Sequence, residues 1–239
     1  MTKPIRERED YFRKLKMLVK ILCLLGLPGC ALPPVEGERK KLDASASDGK
    51  LSVLFIGNSY SFGLPKEFGR LAGSMGKEVR IGHSTYGGWS LEKHSENSGT
   101  LRKLREGKWD AVVIQDFSTN PSRGEFMRRW RMDPGVRFFA REIRANGAVP
   151  LLYQTWGRRD GDPDVEVDDF YKMNERVREG YRIASESGGR IITVCAGDAW
   201  EREFRAGRGA ELYVEDGSHP SAYGNKVTAG EFYRTIFRE

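Results

Sequence analysis

VLFIGNSYSFG, residues 53–63, runs four apolar residues straight into Gly57-Asn58-Ser59. A short apolar run of this kind reads as a buried strand. Glycine, asparagine and serine then read as a turn or the cap of a helix. Two meanings compete for that corner. Either the strand merely ends there, or Ser59 is held at a strand-to-helix turn where its hydroxyl can attack a substrate.

The pattern repeats along the chain. Strand-length apolar runs fall at 51–56, 79–82, 111–114, 150–153 and 191–194. Helix-length amphipathic stretches lie between and after them, at about 65–75, 91–106, 134–146, 171–187 and 221–237. Strand and helix in alternation, about five times over, predict a parallel sheet covered on both faces, a three-layer α/β/α sandwich. Ligands bind such sheets beyond the C-terminal ends of the strands. The residues there are Gly57-Asn58-Ser59, then HSTYGGWS, then QDFS, then QTWGRRD, with EDGSHPSAYG before the last helix.

The 239 residues suffice for one α/β domain. The net charge is +6, but residues 1–30 hold seven basic against three acidic side chains and so carry +4 of it. No basic stripe remains for nucleic acid. Those 30 residues read as an export signal: a basic region, the apolar run ILCLLGLPG, then Cys30. The run is too short to span a bilayer. Its ending, Leu-Pro-Gly-Cys, resembles a bacterial lipoprotein signal with Cys30 as the lipidated residue. An ordinary secretory signal cleaved near Cys30 is the alternative. Either places the domain in the cell envelope or periplasm, with a lipid anchor to the membrane in the first case. Residues 31–49, rich in proline, charge and small side chains, read as a linker, and 50–239 as the domain. Beyond the signal only Cys195 remains, so the body has no internal disulfide, and its strand context reads as a packed thiol.

A serine hydrolase needs a base for the serine proton and a carboxylate to orient that base. The histidines are His83, His94 and His219. In Asp216-Gly-Ser-His219-Pro, one loop can curl the Asp and His side chains to the same side. A helix-capping loop with an exposed histidine is the bland reading. Together, FIGNSYS, YGGWS and DGSHPS resemble the blocks of the SGNH, or GDSL-like, hydrolase superfamily, over about residues 51–239. The resemblance implies a flavodoxin-like fold, Ser59 as nucleophile, and Asp216 and His219 as acid and base. It implies an oxyanion hole from the Ser59 and Gly88 N–H groups, and no cofactor or metal. The usual G-x-N-D block is absent. VVIQDFS stands in its place, as in some carbohydrate acetylesterase-like subfamilies, and Gln115 is the substitute donor that the resemblance suggests; bracing strand to loop is the alternative. The implied activity is hydrolysis of a small acyl ester, acetyl among the options, on a carbohydrate. A non-catalytic glycan-binding module and an acyltransferase with the same triad stay open. Oligomeric state is not legible.

Other features read more weakly. Ser61 should point away from Ser59. DGDPDVEVDD, residues 160–169, departs from a calcium loop at Val165 and Pro163 and reads as a solvated acidic loop. His83 either lines the pocket or satisfies a turn. Trp89, Trp156 and Phe117 either stack on sugar rings or cover the core.

Overall fold

The structure, a computed structural model, describes residues 35–48 and 50–238. Its centre is a five-stranded sheet in the order β2-β1-β3-β4-β5, with every pairing parallel. The strands are β1 (Lys50–Gly57), β2 (Glu78–Thr85), β3 (Ala111–Ile114), β4 (Val149–Gln154) and β5 (Ile192–Cys195). This is the flavodoxin-like order. All five lie where the apolar runs predict them.

Nine helices complete the described chain. They are α1 (Val35–Ser47), α2 (Leu64–Ser74), α3 (Leu91–Glu96), α4 (Ser98–Glu106), α5 (Glu125–Arg131), α6 (Asp133–Ala145), α7 (Phe170–Ser187), α8 (Ala196–Arg205) and α9 (Ala222–Phe237). Period-two alternation divides the core. Val53, Phe55, Val113, Leu151 and Tyr153 face Phe68 of α2 and Phe232 of α9. Leu54, Ile56, Val112, Ile114 and Leu152 face Phe139 of α6 and Val177 and Tyr181 of α7. Burial on both faces explains why these strands read as continuous apolar runs.

Three departures from the sequence reading have local causes. The helix expected over 91–106 breaks at Asn97, whose side chain accepts the Thr100 N–H and so starts α4. The 31–49 linker is corrected: residues 35–47 form α1, docked on the domain. Leu42 and Ala46, one turn apart, are buried in the core. Arg39 donates to the Thr235 and Ile236 carbonyls near the end of α9, and Glu38 pairs with Arg144 at 2.6 Å. One leucine among so many charges is too weak a periodic signal to show in the sequence. Helix α8 follows β5 without a loop, so its start was hidden in the strand. The signal segment and Cys30 lie outside the described residues.

Candidate active site

The chain leaves β1, crosses to the edge strand β2 and returns to β3 on the other side of β1. The crevice between β1 and β3 is thus the switch point, where open α/β sheets bind ligands. Ser59 stands there, one residue past Asn58 and first in a 3-10 turn over Ser59–Ser61. Asn58 fixes that corner with four hydrogen bonds. Its side-chain oxygen accepts the Tyr60 N–H at 3.1 Å, and its amide donates to the Trp89 and Asp116 carbonyls. Its backbone N–H donates to Gln115 Oε1 at 2.9 Å. Close packing allows no side chain at Gly57: a Cβ would sit 2.6 Å from Gln115 Oε1.

Ser59 Oγ lies 2.8 Å from His219 Nε2, and His219 Nδ1 lies 2.6 Å from Asp216 Oδ2. Ser59, Asp216 and His219 are therefore brought together from opposite ends of the domain. Asp216 Oδ1 also accepts the Ser218 and His219 backbone N–H groups, at 2.8 and 2.9 Å. Burial works against its charge, but those donors and the imidazole hold its carboxyl below the usual range. Gly217 turns the loop at φ +64°, a conformation glycine adopts without strain. Tyr60 packs edge-on to the His219 ring, with centroids 5.3 Å apart. Behind it, Tyr60, Trp156 and Trp200 form a stacked column, and Trp156 Nε1 donates to the Ser218 carbonyl at 3.1 Å.

Gly88 lies in the turn after β2, at φ +71°. Two bonds tie that turn to the nucleophile corner: Tyr86 N–H to the Gly57 carbonyl, and Asn58 to the Trp89 carbonyl. Asp116, fully buried, holds it from the other side by accepting the Leu91 N–H at 2.8 Å. Burial pushes the Asp116 carboxyl up to about 6, against the pull of the Leu91 N–H and the Asn120 amide.

Gln115 has no accessible surface. Its Oε1 accepts from Asn58 N–H and from the Ser61 hydroxyl at 3.2 Å, and its amide donates to the Asp116 carbonyl. All three partners are parts of the protein, so the side chain is oriented as a brace between β1 and β3. Ser61 points into that brace, away from His219, as its spacing predicts. His94, fully buried, bridges the Gly57 carbonyl at 2.9 Å and Thr100 at 3.1 Å, and burial lowers its pKa. His83 is exposed on β2. Trp156 belongs to the core, Phe117 is half-buried, and Trp89 is half-buried against Tyr86. In the acidic loop, Asp168 is bound by Arg176 at 2.6 Å and Asp164 by Arg123 at 2.8 Å. Among the described residues no group of three or more His, Cys, Asp or Glu side chains is placed to hold a metal. Cys195 is a free thiol whose pKa burial raises to about 11. Asn58, Asp116 and His94 escaped the sequence reading as site residues, since a buried polar node has no spacing signature.

The class this fold defines is the SGNH, or GDSL-like, hydrolase superfamily of serine ester hydrolases. Among solved structures, a Slackia heliotrinireducens protein provisionally assigned to the SGNH hydrolases is 26% identical, with a TM-score of 0.63 over 78% of this chain and 99% of its own. A DUF4886 family protein from Bacteroides uniformis is 18% identical, with a TM-score of 0.68 over 80% of this chain and 84% of its own. An acetylxylan esterase from Geobacillus stearothermophilus is 20% identical, with a TM-score of 0.57 over 78% and 94%. These last two share the fold. No protein-family model and no curated protein matches the chain.

Proposed function

We propose that this chain is an exported serine esterase that removes a small acyl group, acetyl first among them, from a carbohydrate. The observation that carries the reading is the unbroken hydrogen-bonded series Ser59 Oγ, His219, Asp216. His219 Nε2 takes the Ser59 proton as Oγ attacks the ester carbonyl. Asp216 accepts the hydrogen bond from Nδ1–H and stabilises the imidazolium. The alkoxide leaves with the proton from His219, and water then releases the acyl group by the same route. The Ser59 N–H heads a helical turn and has no intrahelical acceptor, which suits it to the oxyanion together with the Gly88 N–H. Each such donor is worth roughly 3–4 kcal/mol of barrier. Export and lipidation at Cys30 rest on the sequence of residues 1–30 alone.

A carbohydrate as the alcohol half is supported by the half-buried Trp89 and the exposed Tyr86 and Phe62 around the Gly87-Gly88 turn, which offer ring faces to a sugar. The intact triad favours catalysis over a silent glycan-binding module. The deciding experiment is a series of aryl esters of increasing acyl length, given to the full chain and to Ser59→Ala. Acetyl ester turnover should fall at least about a thousandfold in the variant, and a serine-directed phosphonate should label Ser59. Labelling at Ser61 or Ser118 would overturn the assignment.

A further inference from the structure

Arg158 lies in the segment after β4, between Trp156 and Arg159, which both bond to the loop that carries Asp216 and His219. The segment after β4 is pinned to residues 213–218 at three points. Trp156 Nε1 donates to the Ser218 carbonyl, the Tyr213 hydroxyl donates to the Gly157 carbonyl at 2.6 Å, and Arg159 N–H donates to the Gly217 carbonyl at 2.8 Å. Arg158 N–H itself points at Met173 Sδ, at 3.2 Å. The side chain is half-buried, and its Nε is fully buried without a partner. Its guanidinium lies near the Tyr60 hydroxyl, which bonds Ser218 Oγ at 2.6 Å. Ser118, nearly buried, approaches the same hydroxyl.

Other arginines of the domain are placed differently. Arg159 pairs with Asp160, Arg123 with Asp164, Arg176 with Asp168 and Arg178 with Asp198. Among the described residues no carboxylate pairs with Arg158. A partly desolvated cation without a partner costs free energy unless something restores the counter-charge. A guanidinium presents parallel N–H donors that match a planar carboxylate, and the hydroxyl beside it is that of Tyr60, which is shared with Ser218.

We propose that Arg158 binds a carboxylate on the substrate, so that the preferred ester is an anionic one. This rests on the esterase reading and specifies its substrate class. The carboxylate can belong to the alcohol half, as in an acetylated hexuronate, or to the acyl half, as in a hemiester of a dicarboxylic acid. Two matched pairs separate these: acetylated glucuronate against acetylated glucose, and 4-nitrophenyl hemiglutarate against 4-nitrophenyl pentanoate. The full chain should favour the anionic member of one pair by roughly 10- to 100-fold in kcat/KM, the worth of one charge-assisted pair. That ratio should shrink as salt is raised. Arg158→Gln should bring it close to one, and Arg158→Lys should restore part, since an ammonium supplies charge without the fork. Equal rates within both pairs, or a preference that survives in a folded Arg158→Gln protein, would overturn the proposal. Calorimetric titration of free glucuronate and glutarate into Ser59→Ala reads the site without turnover. If no ester is hydrolysed, the esterase reading falls. The carboxylate site then stands if one acid binds and Arg158→Gln, added to Ser59→Ala, weakens it tenfold or more. It falls if neither acid binds or the affinity is unchanged.

Discussion

Replacing Gln115 by methionine keeps the volume of the side chain and removes its polar end. The backbone N–H of Asn58 then loses its acceptor inside a region with almost no solvent access. The Ser61 hydroxyl, also buried, loses its acceptor but can rotate. The Asp116 carbonyl keeps a donor in Asn58 Nδ2 at 3.2 Å. One buried donor orphaned outright, and a second in part, should cost about 2–5 kcal/mol at roughly 1–3 kcal/mol per group. For a domain of this size each kcal/mol lowers Tm by about 2–4 °C, so the shift should be roughly 5–20 °C. Because Asn58 carries Ser59, kcat and KM on an acetyl ester should both worsen. Asparagine should rescue little, since its shorter arm leaves the Asn58 N–H out of reach. Thermal unfolding by circular dichroism and steady-state kinetics on the same preparation make the test. A Gln115→Met protein with unchanged Tm and KM but a kcat about a hundredfold lower would refute the brace. It would put the amide on the oxyanion instead.

Asp116→Asn should change how stability varies with pH. The folded protein holds the Asp116 proton up to about 6, against about 4 for an ordinary carboxylate. Its contribution is therefore full below about pH 4 and lost as pH rises through 6, by about 3 kcal/mol at 1.36 kcal/mol per unit. Urea unfolding from pH 4 to 8 should show wild type losing stability relative to the variant over that window; a flat or rising difference would exclude a raised pKa. Leu42→Ala should cost about 2–5 kcal/mol in the same assay, because the residue is wholly buried in the core, whereas a linker position would cost nothing. Cys30→Ser should move the protein from the membrane to the soluble periplasmic fraction. A wild-type protein already soluble after export would mean that the signal is an ordinary one.

Length and apolar patterning determined most of the fold. Five buried strands separated by helix-length amphipathic stretches leave little besides a parallel sheet with helices on both faces, and the strand-end rule then pointed to Ser59. Asp216 and His219 were legible because their contact is local, three residues apart in one loop. The pairing of Ser59 with His219, 160 positions away, was legible only through the resemblance; the structure supplies the distance. What the sequence could not carry was the direction of a side chain at a crowded corner. Gln115 reads equally well as a donor to substrate or a tie between strands, and only the position of the Asn58 N–H and the Ser61 hydroxyl, brought to it by β1, turned it inward. Helix α1 was hidden for a related reason: its burial comes from α9 and α6 closing over one leucine and one salt bridge, contacts between residues some hundred to two hundred positions apart. Arg158 is the same case with the opposite outcome: Asp160, two residues away, turns to Arg159, and among the described residues no other carboxylate pairs with Arg158. Local propensity and period act over a few residues and write themselves into the sequence; charge pairing and hydrogen-bond satisfaction act across the assembled core, and only the tertiary structure decides them.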